Sequence, residues 1–513
     1  MKMIMGKRKT IFFANKYMGR LCILALMCCT LSTSCTKDPV DNDSGGPEDT
    51  YTTDADANRW IYSQMAAQYL YNEHTKSIKP NYNQTCEVFF NQLLSRDTTD
   101  NDGKHTGDKN YFYSYMERTG HTKATSGITS EYGMECVYYY TGSSRRYVSA
   151  RVLFVVEGSP ADRAGIKRGD WIVGINGAPI GANETSAVES GGAAKLQVER
   201  MSLRQIDTIN GFEIYDYETT YEGTVAIEAA ESMNISPILL DTTFTYGGKK
   251  IGYLVYNEFN TGPNGVSDVT YDNQLKEVFA SFQQEKIDEL ILDMRYNPGG
   301  YASSCQLLCS MIAPRSALGD IFCYRKMNDD LDRIYGMVEM DFLDEGEMAP
   351  YNLDLDRLFV LSGAYTASAS ELVINSLRPY MDVYLIGTQT EGKNVGSIEI
   401  SSSTYGITLH PIYSQAFNKN KESDYSKGFT PDEEVDEIKN QDQMMPLGDP
   451  KELLMRYALA RITNTPVPRT KSLSSASLPS GREWTGNNRP RRSVEGMIFT
   501  DSLTLDLQTT AAE

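Results

Sequence analysis

Three hydroxyl residues and one lysine are the side chains in this sequence that are best suited to covalent chemistry. Thr366, Ser368 and Ser370 lie in the segment TASASE, and Lys393 lies in EGKN, 25 residues after Ser368. A serine hydroxyl becomes a useful nucleophile when an adjacent base takes its proton. A lysine can be that base once burial has lowered its pKa from about 10.4. These residue types are therefore compatible with acyl transfer to a serine, but they do not by themselves show which hydroxyl and which base form a pair.

Backbone amides for an oxyanion are predicted at two places. Ala369 follows Ser368 at the predicted N-terminus of a helix, where amides are unpaired and the helix dipole favours negative charge. Gly299 and Gly300 end the segment RYNPGG, directly after a buried strand pattern. A glycine pair permits the backbone angles that point an amide into a site. Both places are expected to face the same serine.

Two other interpretations of these residues remain open. The spacing of Ser368 and Glu371 also fits a capping box, which is a purely structural way to begin a helix. A histidine base is a second alternative, but His410 lies in a strand-like stretch, and the other three histidines lie in a region of helical pattern or its loops. No histidine is required if Lys393 is the base.

The elements that must position these residues follow from the apolar pattern, which predicts an α+β multidomain fold. Apolar residues at helical spacing predict a small helical region over 58–125. Short strands rich in β-branched and aromatic residues predict a β domain over 126–230. Strands and helices alternate over 231–465, which predicts a largely parallel sheet. Residues 466–513 form a Ser/Pro/Arg-rich, low-complexity tail, in which GMIFTDSLTLDLQ is a candidate short docking segment.

The β region contains the segment GSPADRAGIKRGDWIVGINGAPI, whose turns have a physical logic. Ser159 is placed to cap a short helix that has Pro160 at its first position. Gly165 is placed to end that helix. The pair Asn176 and Gly177 is a hairpin turn signal.

This segment resembles the signature of PDZ domains, which bind peptide C-termini by adding the peptide as a strand. The segment YGMECVYYY resembles the loop and strand whose backbone amides hold the terminal carboxylate. The resemblance therefore implies substrate binding at Gly133, Met134, Glu135 and Cys136. The alternative is a small β domain that serves only for packing.

RYNPGG, TASASE and EGKN, in this order and followed by GFTPDEEV, resemble the carboxy-terminal processing peptidases, or tail-specific proteases. The resemblance covers roughly residues 58–459. It implies a peptidase core with ClpP/crotonase-like strand–helix repeats, Ser368 as nucleophile, Lys393 as general base and an accessory role for Glu371. It also implies polypeptide substrates and no cofactor or metal. One departure stands out, because Ser397 replaces the glutamine often found four residues after the lysine.

Three functions are compatible with this resemblance. The first is a serine endopeptidase with a Ser–Lys dyad, to which the PDZ domain brings substrate C-termini. The second is a catalytically weak or inactive scaffold that binds peptides through the PDZ domain. The third, which has less support, is a hydrolase of small molecules on the same core.

The N-terminus predicts export. A basic stretch, the apolar run Leu21–Leu31 and small residues form a signal peptide over 1–34. Cys35 follows and resembles the lipidated first residue of a bacterial lipoprotein, and residues 35–57 form a flexible, acidic tether. We therefore expect a protein of the cell envelope, in the periplasm or on the outer membrane, that contacts membrane through its lipid anchor alone. The formal net charge of −19 argues against nucleic acid as a partner.

The remaining cysteines predict no disulfide framework, because Cys86, Cys136, Cys305, Cys309 and Cys323 are odd in number and irregularly spaced. Cys305 and Cys309 lie one helical turn apart. A two-ligand metal site is conceivable there, but a buried helix face is the favoured interpretation.

Overall fold

A computed structural model describes residues 54–106, 109–118, 130–209, 212–439, 444–467, 482–485 and 496–499. It describes the backbone alone at 106, 109–110, 201–209, 212–222, 482–483 and 496–498. The predicted signal peptide and the lipidation site Cys35 lie outside the described residues, as does the tether up to residue 53. Among the described helices, none has the length and apolarity needed to cross a bilayer.

The first region combines helices with short strands. Helical periodicity predicts a helical region that is interrupted by a turn-rich loop over 96–110. In the structure, short strands begin at residue 104, where the sequence is rich in Gly, Asp and Asn, which disfavour helix. The last of these strands pairs with a strand of the peptidase core, so this region is joined to the core through a sheet. The elements are α1 (Asp54–Gln68), α2 (Asn72–Ser77), α3 (Cys86–Leu93), β1 (Lys104–Thr106), β2 (Lys109–Tyr111) and β3 (Tyr115–Arg118).

The second region is the predicted β domain. As expected, the Ser159 side chain accepts a hydrogen bond from the Asp162 amide, and Pro160 opens the short helix. The sheet order is β10-β9-β7-β6-β5, with β8 on β6, while β4 pairs with β11. The elements are β4 (Ser130–Glu131), β5 (Met134–Thr141), β6 (Tyr147–Val155), α4 (Pro160–Arg163), β7 (Trp171–Ile175), β8 (Ile180–Gly181), α5 (Ser186–Glu189), β9 (Ala194–Ile209), β10 (Phe212–Ile227) and β11 (Glu231–Ser232).

The third region is the predicted α/β core. Its elements are β12 (Ile238–Tyr246), β13 (Lys249–Tyr256), α6 (Thr270–Glu285), β14 (Glu289–Asp293), β15 (Gly299–Tyr301), α7 (Ala302–Ile312), a 3₁₀ turn (Arg315–Ala317), β16 (Ile321–Lys326), α8 (Asp329–Tyr335), β17 (Val338–Asp341), α9 (Glu345–Met348), β18 (Arg357–Ser362), α10 (Ala369–Leu377), β19 (Asp382–Gly387), β20 (Val395–Ser397), β21 (Ile400–Ser402), β22 (Ile407–His410), β23 (Ile412–Phe417), β24 (Glu433–Glu434) and α11 (Leu453–Thr463).

The main sheet of the core has the order β12-β13-β14-β18-β19-β24 and is parallel except for the antiparallel β12. Alternate residues of its strands enter two different apolar clusters. Leu292 and Val360 pack with α6, α7 and α10, whereas Ile291 and Phe359 pack with α11. The sheet is thus buried on both faces, which explains its continuous apolar runs.

Two short strands follow α11, where the sequence indicated a low-complexity tail. They are β25 (Arg482–Trp484) and β26 (Gly496–Ile498). The first joins the edge of β5. The second lies inside another core sheet, of order β15-β26-β20-β23-β16-β17. Tail residues with little local propensity of their own therefore obtain structure from neighbouring strands.

Candidate active site

Ser368 occupies the sharp turn between β18 and α10. Its backbone has φ 60° and ψ −109°, a conformation that is costly for a residue with a Cβ. The side chain is fully buried. Ser368 and Glu371 are arranged as a capping box, yet the Ser368 Oγ atom has no hydrogen-bond partner. A strained turn that presents an unpaired buried hydroxyl is unusual for a structural helix cap.

The two neighbouring hydroxyl groups are both used in local structure. Thr366 Oγ1 donates to the Met294 carbonyl at 2.8 Å, and Ser370 Oγ donates to the Asn297 carbonyl at 3.0 Å. These bonds tie the serine loop to the segment that precedes Gly299. Of the three hydroxyls in TASASE, Ser368 alone lacks a partner.

Glu371 connects the turn at Ser368, the serine turn, to the loop 388–394 between β19 and β20, the lysine loop. Its Oε2 atom accepts the Ser368 amide at 2.9 Å and the Lys393 amide at 2.8 Å. Its Oε1 atom accepts the Gly392 amide at 2.7 Å and the Thr390 hydroxyl at 2.5 Å. Burial raises the pKa of Glu371 to about 7, although these four hydrogen bonds oppose the rise. One carboxylate oxygen thus joins the backbones of the two sequence-predicted residues, Ser368 and Lys393.

Lys393 is buried, with 7% of its surface exposed. Its Nζ atom lies 4.8 Å from the centroid of the Tyr113 ring. Asp102 interacts electrostatically with this lysine. Burial raises the pKa of Asp102, with the opposing effect of hydrogen bonds from Tyr69 and Ser114. When ionised, Asp102 favours the protonated form of this lysine.

The N-terminal region holds the lysine loop from the other side. Asn101 Nδ2 donates to the Gly392 carbonyl at 3.1 Å and to Asn394 Oδ1 at 2.7 Å. The Tyr113 hydroxyl donates to Glu391 at 3.1 Å. Sequence reasoning missed these residues, because the segment around Asn101 was interpreted only as a turn-rich loop. Polar side chains beside glycine in a loop do not reveal which distant loop they contact.

Gly299 and Gly300 lie directly against the serine turn. A Cβ atom on Gly299 would lie 2.9 Å from both Ser368 Cβ and the Ala369 nitrogen, and φ at Gly299 is +110°. No other residue type fits there without displacing the serine. The Gly299 amide donates to Asn297 Oδ1 at 2.9 Å, so it is already engaged. Gly300, the other glycine of the pair, belongs to β15 and lies in register with Met497 of β26.

An ionic cluster joins the β domain to the segment that leads to Gly299. Arg168 donates to the Tyr296 hydroxyl at 2.5 Å and to Glu437 at 2.7 Å. Arg295 donates to Glu437 at 2.6 Å and to Glu452 at 2.7 Å. Burial alone would raise the pKa of Glu437, but the two arginines lower it to about 2. The position of the β domain is thereby linked to the residues just before the glycine turn.

The four residues predicted to bind peptide lie at the start of β5. Gly133 has φ +78°, and its carbonyl accepts the Val156 amide at 2.8 Å. Met134, Glu135 and Cys136 are buried in the present arrangement. They lie in a different sheet from Gly299 and Gly300.

The pair of cysteines on α7 forms part of the apolar core. Cys305 and Cys309 are fully buried, and Cys305 Sγ lies 3.2 Å from the Ala369 carbonyl. Burial raises the pKa of the Cys305 thiol well above its ordinary value. Among the described residues, no group of three potential ligand side chains is arranged to hold a metal ion.

Three family profiles match successive parts of the chain. The profile of peptidase family S41 matches residues 250–435, which include Gly299, Ser368 and Lys393. The chain belongs to this family. A profile of the S41 N-terminal domain matches residues 56–115, and a PDZ domain profile matches residues 151–190. The predicted order of helical region, PDZ domain and peptidase core is therefore confirmed.

Curated S41 relatives are carboxyl-terminal-processing proteases. The enzyme of that name from Picosynechococcus is 25% identical over 248 residues, covering 48% of this chain and 50% of the relative. The chloroplastic carboxyl-terminal-processing peptidase 3 of Arabidopsis thaliana is 27% identical over 279 residues, covering 52% and 47%. The chain thus spans about half the length of the curated relatives it matches.

A solved S41 structure is similar over most of the described fold. The crystal structure of a candidate S41 protease from Bacteroides fragilis superposes with a TM-score of 0.68 and 29% identity. The match covers 79% of this chain and 97% of that one. The combination of domains is therefore one that another S41 protein also has.

Proposed function

We propose that this chain is a serine endopeptidase of the cell envelope that hydrolyses peptide bonds of polypeptides through Ser368 and Lys393. The observation that carries the proposal is the Glu371 carboxylate, one oxygen of which accepts the backbone amides of both residues. A purely structural capping box would require the serine amide but not the lysine loop. The partner-free Ser368 Oγ is consistent with a hydroxyl kept available for substrate.

In the proposed reaction, neutral Lys393 takes the proton of Ser368 Oγ while that oxygen attacks the peptide carbonyl carbon. The amides of Ala369 and Gly300 stabilise the tetrahedral oxyanion. The C–N bond then breaks, and the protonated lysine gives its proton to the leaving amine. A water molecule hydrolyses the acyl ester by the same steps, with Lys393 again as the base. No cofactor enters these steps.

Burial is the feature of Lys393 that supports the neutral amine this mechanism needs, because burial disfavours the charged form of a lysine. Two neighbours act in the opposite direction. Asp102 attracts the protonated amine when it is ionised, and the face of the Tyr113 ring also attracts a cation. The mechanism therefore requires that burial outweigh these two contacts.

We further propose that the PDZ domain receives the C-terminus of a polypeptide at the start of β5, around Gly133, Met134, Glu135 and Cys136. The contact between Arg168 and Tyr296 supports communication with the core, because Tyr296 lies three residues before Gly299. The domain boundaries of the sequence prediction, 58–125, 126–230 and 231–465, and lipidation at Cys35 belong to the same proposal.

The test compares the full chain with three variants, using casein and mass spectrometry of the fragments over about pH 6 to 10. Ser368→Ala and Lys393→Ala should each abolish cleavage, because they remove the nucleophile or its base. Ser376→Ala is a matched control, since Ser376 is a buried serine of the same helix whose hydroxyl also lacks a partner. It should retain the parent rate.

Cleavage that survives in Ser368→Ala would refute the proposal and indicate a contaminating protease. The same casein assay tests the alternative of an inactive PDZ scaffold, which Ser397 in place of a glutamine favours. That alternative predicts no cleavage by any of the four chains, with peptide binding retained in all of them.

A further inference from the structure

The strand β26 of the tail occupies the space between the two segments that flank the proposed active site. On one side it pairs in parallel with β15, matching Gly496 to Gly299 and Met497 to Gly300. On the other side it pairs in parallel with β20, which begins two residues after Lys393. A segment from the far end of the chain thus completes a sheet that would otherwise have a gap there.

The distance between this strand and the nucleophile is short. Paired strands lie about 4.8 Å apart, and Gly299 packs directly on Ser368, where a Cβ atom would approach the serine Cβ within 2.9 Å. A polypeptide that reached Ser368 as an extended strand along β15 would need the space that β26 fills. The complete burial of Ser368 is consistent with this arrangement.

Phe499 anchors the strand. Its side chain is 1% exposed and belongs to the apolar cluster of the core. The Arg325 guanidinium lies 4.5 Å from the centroid of its ring, and the Phe499 amide donates to the Ser397 carbonyl at 3.3 Å. The site therefore accepts an extended backbone followed by a large apolar side chain.

The other tail strand, β25, occupies the edge of the PDZ-like sheet. It pairs antiparallel with β5, matching Arg482 to Thr141 and Trp484 to Tyr139, and the Thr485 amide donates to the Tyr138 carbonyl at 3.0 Å. Read from Arg482 to Thr485, it runs along β5 towards Gly133. An added peptide strand is expected at such a sheet edge.

We propose that the slot between β15 and β20 is a binding site for an extended apolar polypeptide strand, and that β26 is its resident occupant. The tail then acts as a pseudosubstrate, and a polypeptide substrate must displace it before reaching Ser368. The name pseudosubstrate rests on the proposed peptidase function, whereas the strand-binding slot does not. The tethered strand is present at high effective concentration, so a free peptide competes with it poorly.

The test measures binding of a fluorescent peptide, VEGMIFTD, to the full chain by anisotropy, with a scrambled peptide as reference. Every protein carries Ser368→Ala, so that binding is measured without turnover. Phe499→Ala removes the anchor, and Met497→Pro prevents strand pairing. Each should increase affinity for the probe at least tenfold. Val88→Ala, which shortens an exposed apolar side chain of α3, is the control and should leave the affinity unchanged.

Equal probe binding in the parent and in both slot variants would overturn the inference, as would an equal gain in Val88→Ala. Hydrogen exchange provides a check on folding. The amides of residues 299–301 and 395–397 should exchange faster in Phe499→Ala and Met497→Pro, while those of β14 remain protected. Loss of protection in β14 as well would show that the variants unfold the core and would refute an exchangeable occupant.

Casein cleavage by chains that retain Ser368 separates this inference from the proposed function. A gain in probe affinity without any cleavage would refute the peptidase and leave the binding slot established. Cleavage that is equally fast in the parent and in Phe499→Ala, without a gain in probe affinity, would refute the binding slot and support the peptidase. If both proposals hold, Phe499→Ala should cleave casein at least several times faster than the parent.

Discussion

Replacing Glu371 by glutamine tests the central contact of the proposed site. The carboxylate accepts four hydrogen bonds, two at each oxygen atom. A glutamine has one carbonyl oxygen, and its NH2 group must face the donors on the other side. The less costly orientation places the NH2 group at the position of Oε1, near Thr390. The Thr390 hydroxyl can rotate there and accept a hydrogen bond from the NH2 group. The Gly392 amide then has no acceptor.

The expected magnitude follows from these contacts. A buried amide without a partner costs about 1–3 kcal/mol, and two remaining bonds that change from charged to neutral lose about 1 kcal/mol each. If the whole loss of about 3–5 kcal/mol falls on the positions of Ser368 and Lys393, the rate falls about 10²- to 5 × 10³-fold. We expect kcat for casein or a peptide reporter to fall by that factor.

The pH dependence distinguishes this role from general loss of structure. The pKa of Glu371 is about 7, so the carboxylate, which binds all four donors, is lost as pH falls below 7. Activity of the parent should therefore decline from pH 8 to 6, and Glu371→Gln should decline less steeply, because only the protonation of Lys393 still contributes. The stability effect has the opposite sign. Because the folded-state pKa lies above its ordinary 4.5, the stabilising contribution of Glu371 is full below pH 4.5 and is lost as pH rises through 7.

The measurement is kcat against pH for both proteins, together with the melting temperature over the same range. A variant with the parent rate would refute the bridging role of Glu371. A variant that is slow but declines as steeply as the parent from pH 8 to 6 would refute the contribution of Glu371 to that decline.

Two further predictions concern the glycine turn and the ionic cluster. Gly299→Ala should lower kcat at least about 10²-fold by displacing Ser368. The control is Gly265→Ala, which also replaces a glycine of positive φ but has open space around the new Cβ atom, so its kcat should not fall. Equal rates for the two variants would refute the steric argument. Arg168→Met should destabilise the fold by about 3–5 kcal/mol at pH 7. The loss in melting temperature should shrink towards pH 3, because the stabilising contribution of Glu437 is full above about pH 4.5 and is lost as pH falls through 2. A loss in melting temperature that does not change with pH would count against the ion pair.

The sequence predicted much of this fold because its signals are local. The helix cap at Ser159, the hairpin turn at Asn176 and the apolar runs of β14 and β18 each depend on residues close together in the chain. The positions of Ser368 and Glu371 were likewise predictable, since the capping box spans four residues.

Other parts of the site depend on contacts between distant residues, which no local pattern reveals. Asn101 contacts Gly392 across 291 positions of sequence, and Asp102 gives no sign in the sequence that it lies near Lys393. The segment REW was interpreted as linker because it has no apolar alternation. Its structure comes from the edge of β5, which supplies the hydrogen bonds that the segment cannot make alone.

The proposed dyad therefore depends on three regions of the chain at once. Ser368 is set by its own turn and by Gly299, while Lys393 is set by Glu371 and by the N-terminal region through Asn101. Arg168 of the PDZ domain contacts the segment just before the glycine turn. Glu371 ties the backbones of Ser368 and Lys393 together within the core, whereas the N-terminal region and the PDZ domain contact only the loops around them. Undocking of either region would therefore leave the Glu371 contacts in place and would alter the loops that carry Lys393 and Gly299. We expect domain position to adjust the rate of the proposed peptidase through those loops, because the contact that joins the two residues does not cross a domain boundary.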